Sequence, residues 1–261
     1  MISLADIHVT FNLGTPLAKP ALRGVNLDIA AGEFITVIGS NGAGKSTLLN
    51  VISGDIGCDR GSITIENQTV TPWSTARRAT LVSRVFQNPL AGSCADLTIE
   101  ENLALAFRRG QPRGLRPALN NRLRHQFRAT LASLELGLEN RLSDRIGLLS
   151  GGQRQALSLV MATLAPAKIL LLDEHTAALD PKTAHFIMGL TAQLVAEHHL
   201  TTLMVTHSMR QAVAVGNRLL MLHEGQIIFD AAGADKTNLT INDLLSRFAG
   251  DALTDDSLLL G

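Results

Sequence analysis

Phe34-Ile-Thr-Val-Ile38 runs apolar and β-branched for five residues and leads directly into Gly39-Ser-Asn-Gly-Ala-Gly-Lys-Ser46. A strand with no polar side needs cover on both faces, which points to a mainly parallel sheet packed between helices. The segment after it fits G-x-x-x-x-G-K-[ST] and opens a helix expected from Lys45 to about Ser53. Gly39, Gly42 and Gly44 leave the backbone N–H groups bare for phosphate oxygens, and the helix N-terminus adds partial positive charge. Ser40, Asn41, Ala43 and Thr47 complete the same stretch. Lys45 offers a point charge to the β- and γ-phosphates and Ser46 a hydroxyl to Mg²⁺. The bland alternative, a glycine-rich turn before an ordinary helix, does not explain why the pattern falls directly behind a buried strand.

A second apolar strand, Ile169 to Leu172, ends in Asp173-Glu174. Carboxylates at the C-terminal edge of a parallel sheet lie in the crevice where such folds bind ligands. There Asp173 could hold the metal through water, and Glu174 could reach the water that attacks the γ-phosphate. An acidic pair could equally cap the next helix or pair with arginine. Thr202 to Val205 reads as a further buried strand, with a helix from about Lys182 to His198 before it. Arg218 to Leu222 and Ile227 to Asp230 flank the turn His223-Glu-Gly-Gln226. Strands alternating with helices give a doubly wound core. Ahead of it, Ile2 to Phe11, Gly24 to Ile29 and Ser62 to Glu66 alternate with period two, as half-exposed strands do.

From about Pro89 to Ser150 helical periodicity takes over and no strand is evident. Between Arg108 and Arg128 stand seven arginines and no acidic residue. That pattern fits a solvated helix face, or a face near anionic lipid headgroups or an acidic loop of a membrane partner. The chain as a whole has as many acidic as basic side chains, 3% aromatics and no Tyr, which argues against nucleic acid as a partner. Cys58 and Cys94 lack metal-ligand spacing and read as reduced, small apolar residues. No signal peptide is evident and the apolar runs are too short to span a bilayer, so a membrane role is expected to come through a partner.

Between the glycine loop and the acidic strand end lies Leu149-Ser-Gly-Gly-Gln153. Ser150 could simply cap a helix. Two glycines in a helix's first turn are entropically costly, and suggest that something comes close to the backbone. In this order the three motifs resemble the ATP-binding subunits of ABC transporters, over almost the whole chain. The resemblance implies an α/β, P-loop NTPase (RecA-like) fold, with a mostly parallel sheet core, an N-terminal antiparallel β-subdomain and an inserted α-helical subdomain. The core is expected at residues 1–87 and 156–230, the helical subdomain at 88–155, and a short helix and loose tail at 231–261. It also implies that Ser150, Gly151, Gly152 and Gln153 grip the γ-phosphate of ATP held by the opposite subunit. Gln87 resembles the glutamine that senses Mg²⁺ together with Ser46 and Asp173. Asp180 resembles the dimer-seam aspartate and His207 the switch histidine. Phe11 falls where the family stacks adenine, usually with Tyr. His175 departs from a Pro that many relatives carry.

The function implied is ATP hydrolysis with Mg²⁺, by a head-to-tail homodimer or a pair with a related subunit, driving an integral membrane permease from the cytoplasmic face of the inner membrane. Import of an amino acid or similar solute, fed by a substrate-binding protein, is the expectation. A soluble ABC scaffold, as in iron–sulfur cluster assembly, and an exporter are the alternatives. A P-loop GTPase is disfavoured, because no Asn/Thr-Lys-x-Asp string is present.

Overall fold

The computed structural model describes residues 1–250 apart from Arg113, Leu115 and Arg116. Strands β1 (Ile2–Phe11), β2 (Lys19–Ile29), β4 (Arg60–Ile65) and β5 (Gln68–Thr69) form an antiparallel sheet in the order β2-β1-β4-β5. Ile2, Leu4, Ile7 and Val9 turn inward along β1. The odd step between Leu4 and Ile7 coincides with a register shift against β2, and Asp6 there has φ +52°. A bulge of this kind explains why the alternation in the sequence is only rough. β2 begins at Lys19 rather than Gly24, and it accommodates Pro20 because it is an edge strand.

The second sheet runs β10-β9-β3-β8-β7-β6. Its members are β3 (Phe34–Gly39), β6 (Val82–Val85), β7 (Ile169–Asp173), β8 (Thr201–Val205), β9 (Arg218–His223) and β10 (Gln226–Ala232). Every neighbouring pair is parallel except β9 with β10. The β9–β10 turn, Glu224-Gly225, has φ of +44° and +79°. Two positive φ values match the twist of a two-residue hairpin, and Gly supplies the second cheaply. In β7 the side chains alternate between two cores. Ile169 and Leu171 join the one beneath helix α1 (Lys45–Ser53), while Leu170 and Leu172 join the other. Cover on both faces is what an unbroken apolar strand requires.

β6 has no apolar run to announce it. Its two central residues are polar because Ser83 donates to Ala162 O at 2.7 Å and Arg84 pairs with Asp173 at 2.6 Å. Helix α2 (Thr75–Arg78) precedes it, and the helical segment follows as α3 (Ile99–Phe107), α4 (Asn121–Ala132) and α5 (Gly151–Leu164). Thr98 and Glu101 form a capping box at α3, and Asn120 caps α4. These helices pack on Phe127, which is fully buried and meets Phe107 edge-on, at 6.3 Å between centroids and 74° between planes. The same core takes in Val85, Leu170, Leu172 and Met204 of the sheet, so the helices depend on the strands for part of their cover. Phe127→Ala is expected to cost about 3–5 kcal/mol, read as a lower urea midpoint. A loss under about 1 kcal/mol would show that this core collapses onto the void.

In the arginine stretch, Arg124 grips Glu100 through Nε at 2.8 Å and Nη2 at 3.2 Å, and Arg109 donates to Ala162 O at 3.1 Å. Arg122 and Arg128 are exposed, while Arg113 and Arg116 lie outside the described residues. Part of the basic run therefore holds the fold together. Both cysteines are free, Cys58 part-buried and Cys94 exposed. Helices α6 (Pro181–His198), α7 (Met209–Ala214), α8 (Gly233–Thr237) and α9 (Ile241–Gly250) complete the described chain. The tail expected beyond Gly250 lies outside the described residues. Among those residues, no helix is long and apolar enough to cross a membrane.

Candidate functional site

The loop Gly39–Ser46 joins β3 to α1. Gly39 has φ +153°, and a Cβ there would lie 2.2 Å from the carbonyl oxygen of Leu222. No larger residue fits without moving the neighbouring strand. Lys45 is buried, with Nζ donating to Gly39 O at 2.7 Å and Ser40 O at 2.9 Å, so its charge is held over the loop. The hairpin turn buttresses the loop, as Gly225 N–H donates to Ala43 O at 2.9 Å. Sequence reasoning missed that support, because the only signal is a turn far away in the chain.

A cavity of about 230 Å³ is lined by Phe11, Asn41 to Thr47, Glu174 and His207, among others. Phe11 is the last residue of β1, half-exposed beside the loop. A larger cavity, about 520 Å³ between β6 and helices α3 and α5, contains neither the glycine loop nor a carboxylate. The smaller one offers the phosphate chemistry.

Asp173 ends β7, and Ser46 Oγ approaches its Oδ1 at 3.5 Å. Glu174 follows with φ +46°, a costly conformation for a residue with a Cβ and one found at functional sites. Its Oε1 lies 2.5 Å from His207 Nε2. Thus two residues that follow parallel neighbouring strands, β7 and β8, meet across the cavity edge. Gln211 links the loops behind them, its Oε1 accepting from Thr206 at 2.8 Å and its Nε2 donating to Thr176 at 3.2 Å. Neither Gln211 nor Arg84 was foreseen. A lone glutamine in a helix or a lone arginine in a strand carries no spacing that marks it.

His175, directly after Glu174, is buried. Thr191 gives its hydroxyl proton to Ile187 O at 2.8 Å, so the His175 ring must donate from Nε2 to Thr191 Oγ1 at 3.0 Å. Burial pushes its pKa down to about 4, and the ring is neutral in the fold. An unfolded chain would protonate it below about pH 6.5, so the stability that the neutral ring contributes is present above that pH and lost on acidification towards pH 4. Wild type is expected to lose about 3 kcal/mol more than His175→Gln over that window, by urea unfolding. Equal losses in both would refute it.

Gln87 is exposed beyond β6 and is not among the residues lining the phosphate cavity. Ser150 caps α5, with its side chain accepting from Gln153 N–H in a capping box. A Cβ on Gly152 would come within 2.5 Å of Thr183 Cγ2. Gly152 therefore has a packing reason within its own chain, whereas Gly151 stands exposed with only Leu179 nearby. Asp180 caps α6, accepting from Thr183 N–H at 3.1 Å, and bonds to Thr183 hold its carboxyl below the usual range. None of Ser150 to Gln153 lines the cavity formed by the loop of the same chain.

A loop built this way, at the end of a parallel strand and beside an acidic strand end, defines a P-loop ATPase. The family model described as ABC transporter matches residues 22–177. The chain belongs to that family. It is 47% identical over 250 residues to the tyrosine transport ATP-binding protein of Clostridioides difficile strain R20291, covering 95% of this chain and 98% of that one. To the thiamine import ATP-binding protein of Photorhabdus laumondii it is 38% identical over 207 residues, covering 78% and 82%. A dimeric ATP-binding cassette in a post-hydrolysis state, bound to ADP and Pi, superposes with a TM-score of 0.75 at 30% identity, covering 89% of this chain and 98% of that one.

Proposed function

We propose that this chain is the ATPase subunit of an amino-acid importer, with tyrosine or a chemically similar solute as cargo. The observation that carries this is the 47% identity, along nearly the full length of both chains, to a tyrosine transport ATP-binding protein. Two copies close head to tail, the loop Gly39–Ser46 of one facing Ser150–Gln153 of the other. In support, Ser150 and Gly151 are exposed at a helix N-terminus away from their own chain's phosphate cavity. Such a helix end attracts anions.

Within each site Phe11 stacks on adenine, while Lys45 and the loop amides hold the phosphates. Ser46 and Asp173 suit Mg²⁺, since hard oxygen donors few in number leave room for waters and phosphate oxygens. When bound, the ion neutralises charge on the phosphates; Gln87 joins its surroundings on closure. Glu174 accepts the proton of the attacking water, and His207 holds Glu174 and contacts the γ-phosphate. Asp180 lies at the seam. Closure moves an integral membrane permease by rigid-body switching, with the ATPase peripheral on the cytoplasmic face of the inner membrane. A substrate-binding protein presents the cargo on the other side.

Mixing two inactive chains tests the shared site. Lys45→Ala disables the loop and Ser150→Arg the helix end, so each homodimer lacks any intact pair. A mixed dimer has one site with both defects and one with neither. Vanadate trapping of nucleotide is expected to return on mixing and to be absent in either chain alone. A mixture as inert as its parts, beside an active wild type, would rule out the head-to-tail arrangement.

A further inference from the structure

Arg84 reaches from β6 to three acceptors. Nη2 donates to Asp173 Oδ2 at 2.6 Å, and Nη1 to Asn50 Oδ1 at 2.5 Å and Asp55 Oδ2 at 3.0 Å. The Arg84 side chain is 11% exposed and that of Asp173 is 14% exposed. At such burial the charges are weakly screened, so the pair acts strongly on anything beside it. The two oxygens of Asp173 are divided: Oδ1 faces Ser46 Oγ at 3.5 Å, and Oδ2 belongs to Arg84. A divalent cation between Ser46 and Asp173 would meet a carboxylate already half neutralised, with a fixed positive charge on its far side.

We propose that Arg84 is a resident counter-cation that stops the Ser46–Asp173 pair from holding Mg²⁺ before ATP arrives. This rests on the reading of Asp173 as the metal carboxylate. Without nucleotide, the guanidinium bridges Asp173 and Asp55. Two protein oxygens are a poor cage for an ion that demands six-fold oxygen coordination, and a neighbouring guanidinium weakens them further. Once the triphosphate is present, its negative charge outweighs the single guanidinium and its oxygens complete the ligand set. Metal then enters with nucleotide and not ahead of it. Arg84 acts through Asp173 and touches no reacting atom.

Binding of Mn²⁺ to the full chain without nucleotide, followed by the spin-resonance signal of the free ion, tests this. Arg84→Met is expected to bind Mn²⁺ roughly tenfold or more tightly than wild type. Arg84→Gln keeps a donor without the charge and is expected to gain likewise, which covers a Met variant that fails to fold. Arg84→Lys keeps the charge and should match wild type. Adding Asp173→Asn to either neutral variant should erase the gain. A residue that only props up Asp173 would give the opposite sign, since its removal would loosen the ligand. Affinity in both neutral variants equal to or below wild type, or a gain that survives Asp173→Asn, overturns the proposal. A separate comparison tests the reading beneath it: ATP-loaded wild type should hold Mn²⁺ more tightly than ATP-loaded Asp173→Asn. Failure there removes the metal role of Asp173, while success there without any gain in the Arg84 variants removes only the counter-cation.

Discussion

Glu174→Gln is expected to bind ATP as wild type does and to lose turnover by roughly 10²- to 10⁴-fold, the span associated with a positioned general base. The change is nearly isosteric and keeps an oxygen where Oε1 now lies 2.5 Å from His207 Nε2. It removes the negative charge that accepts a proton from water. Phosphate contacts come from Lys45 and the loop, which the substitution leaves unchanged, so affinity should hold. The left-handed backbone of Glu174, φ +46°, is stabilised by Glu174 N–H donating to Val205 O at 3.1 Å, and an amide side chain leaves that bond intact. With hydrolysis blocked and nucleotide retained, the closed pair should accumulate. Gel filtration with ATP should show a dimer for the variant under conditions where wild type returns to monomer. Phosphate release within several-fold of wild type would remove Glu174 from its role.

His207 sharpens this expectation. Its ring meets Glu174 because β7 and β8 are parallel neighbours, with Asp173 opposite Val205 in register. The strands bring the two residues together although they are far apart in sequence. Gln211, bridging Thr206 and Thr176, braces both loops from behind.

This geometry also shows what a sequence can reveal. The buried strands β3, β7 and β8 were legible because cover on both faces demands an unbroken apolar run. Gly39–Ser46 was legible because phosphate binding fixes both residue type and spacing within one turn of chain. β6 was not, since its central positions serve long-range polar contacts, Ser83 with Ala162 and Arg84 with Asp173, and so break the strand pattern. Gly225 supports Ala43 across the sheet, a partnership set by topology that leaves no local mark. Gly152 has a packing reason that the sequence does not show. Its close neighbour is Thr183 of its own chain, and a glycine alone does not say which body approaches it.

Lys45→Ala should abolish ATP binding, by roughly 30-fold to several thousand-fold, the range for removing one partner of a desolvated charged contact. Lys45 is 6% exposed, and its ammonium is held at the loop by two carbonyl oxygens, Gly39 O at 2.7 Å and Ser40 O at 2.9 Å. Such a charge is aimed before the ligand arrives, so little ordering cost falls on binding. Alanine removes that charge and with it the two hydrogen bonds. Their loss should cost only about 1–2 kcal/mol of stability, leaving the fold intact by circular dichroism. Lys45→Arg is expected to fare little better, because a planar fork cannot occupy the space of a compact ammonium. Titration with a fluorescent ATP analogue distinguishes the effects: wild type saturates, and both variants stay flat over the same range. Binding by the alanine variant within about fivefold of wild type, a difference under about 1 kcal/mol, would mean that loop amides and the helix end hold the triphosphate alone.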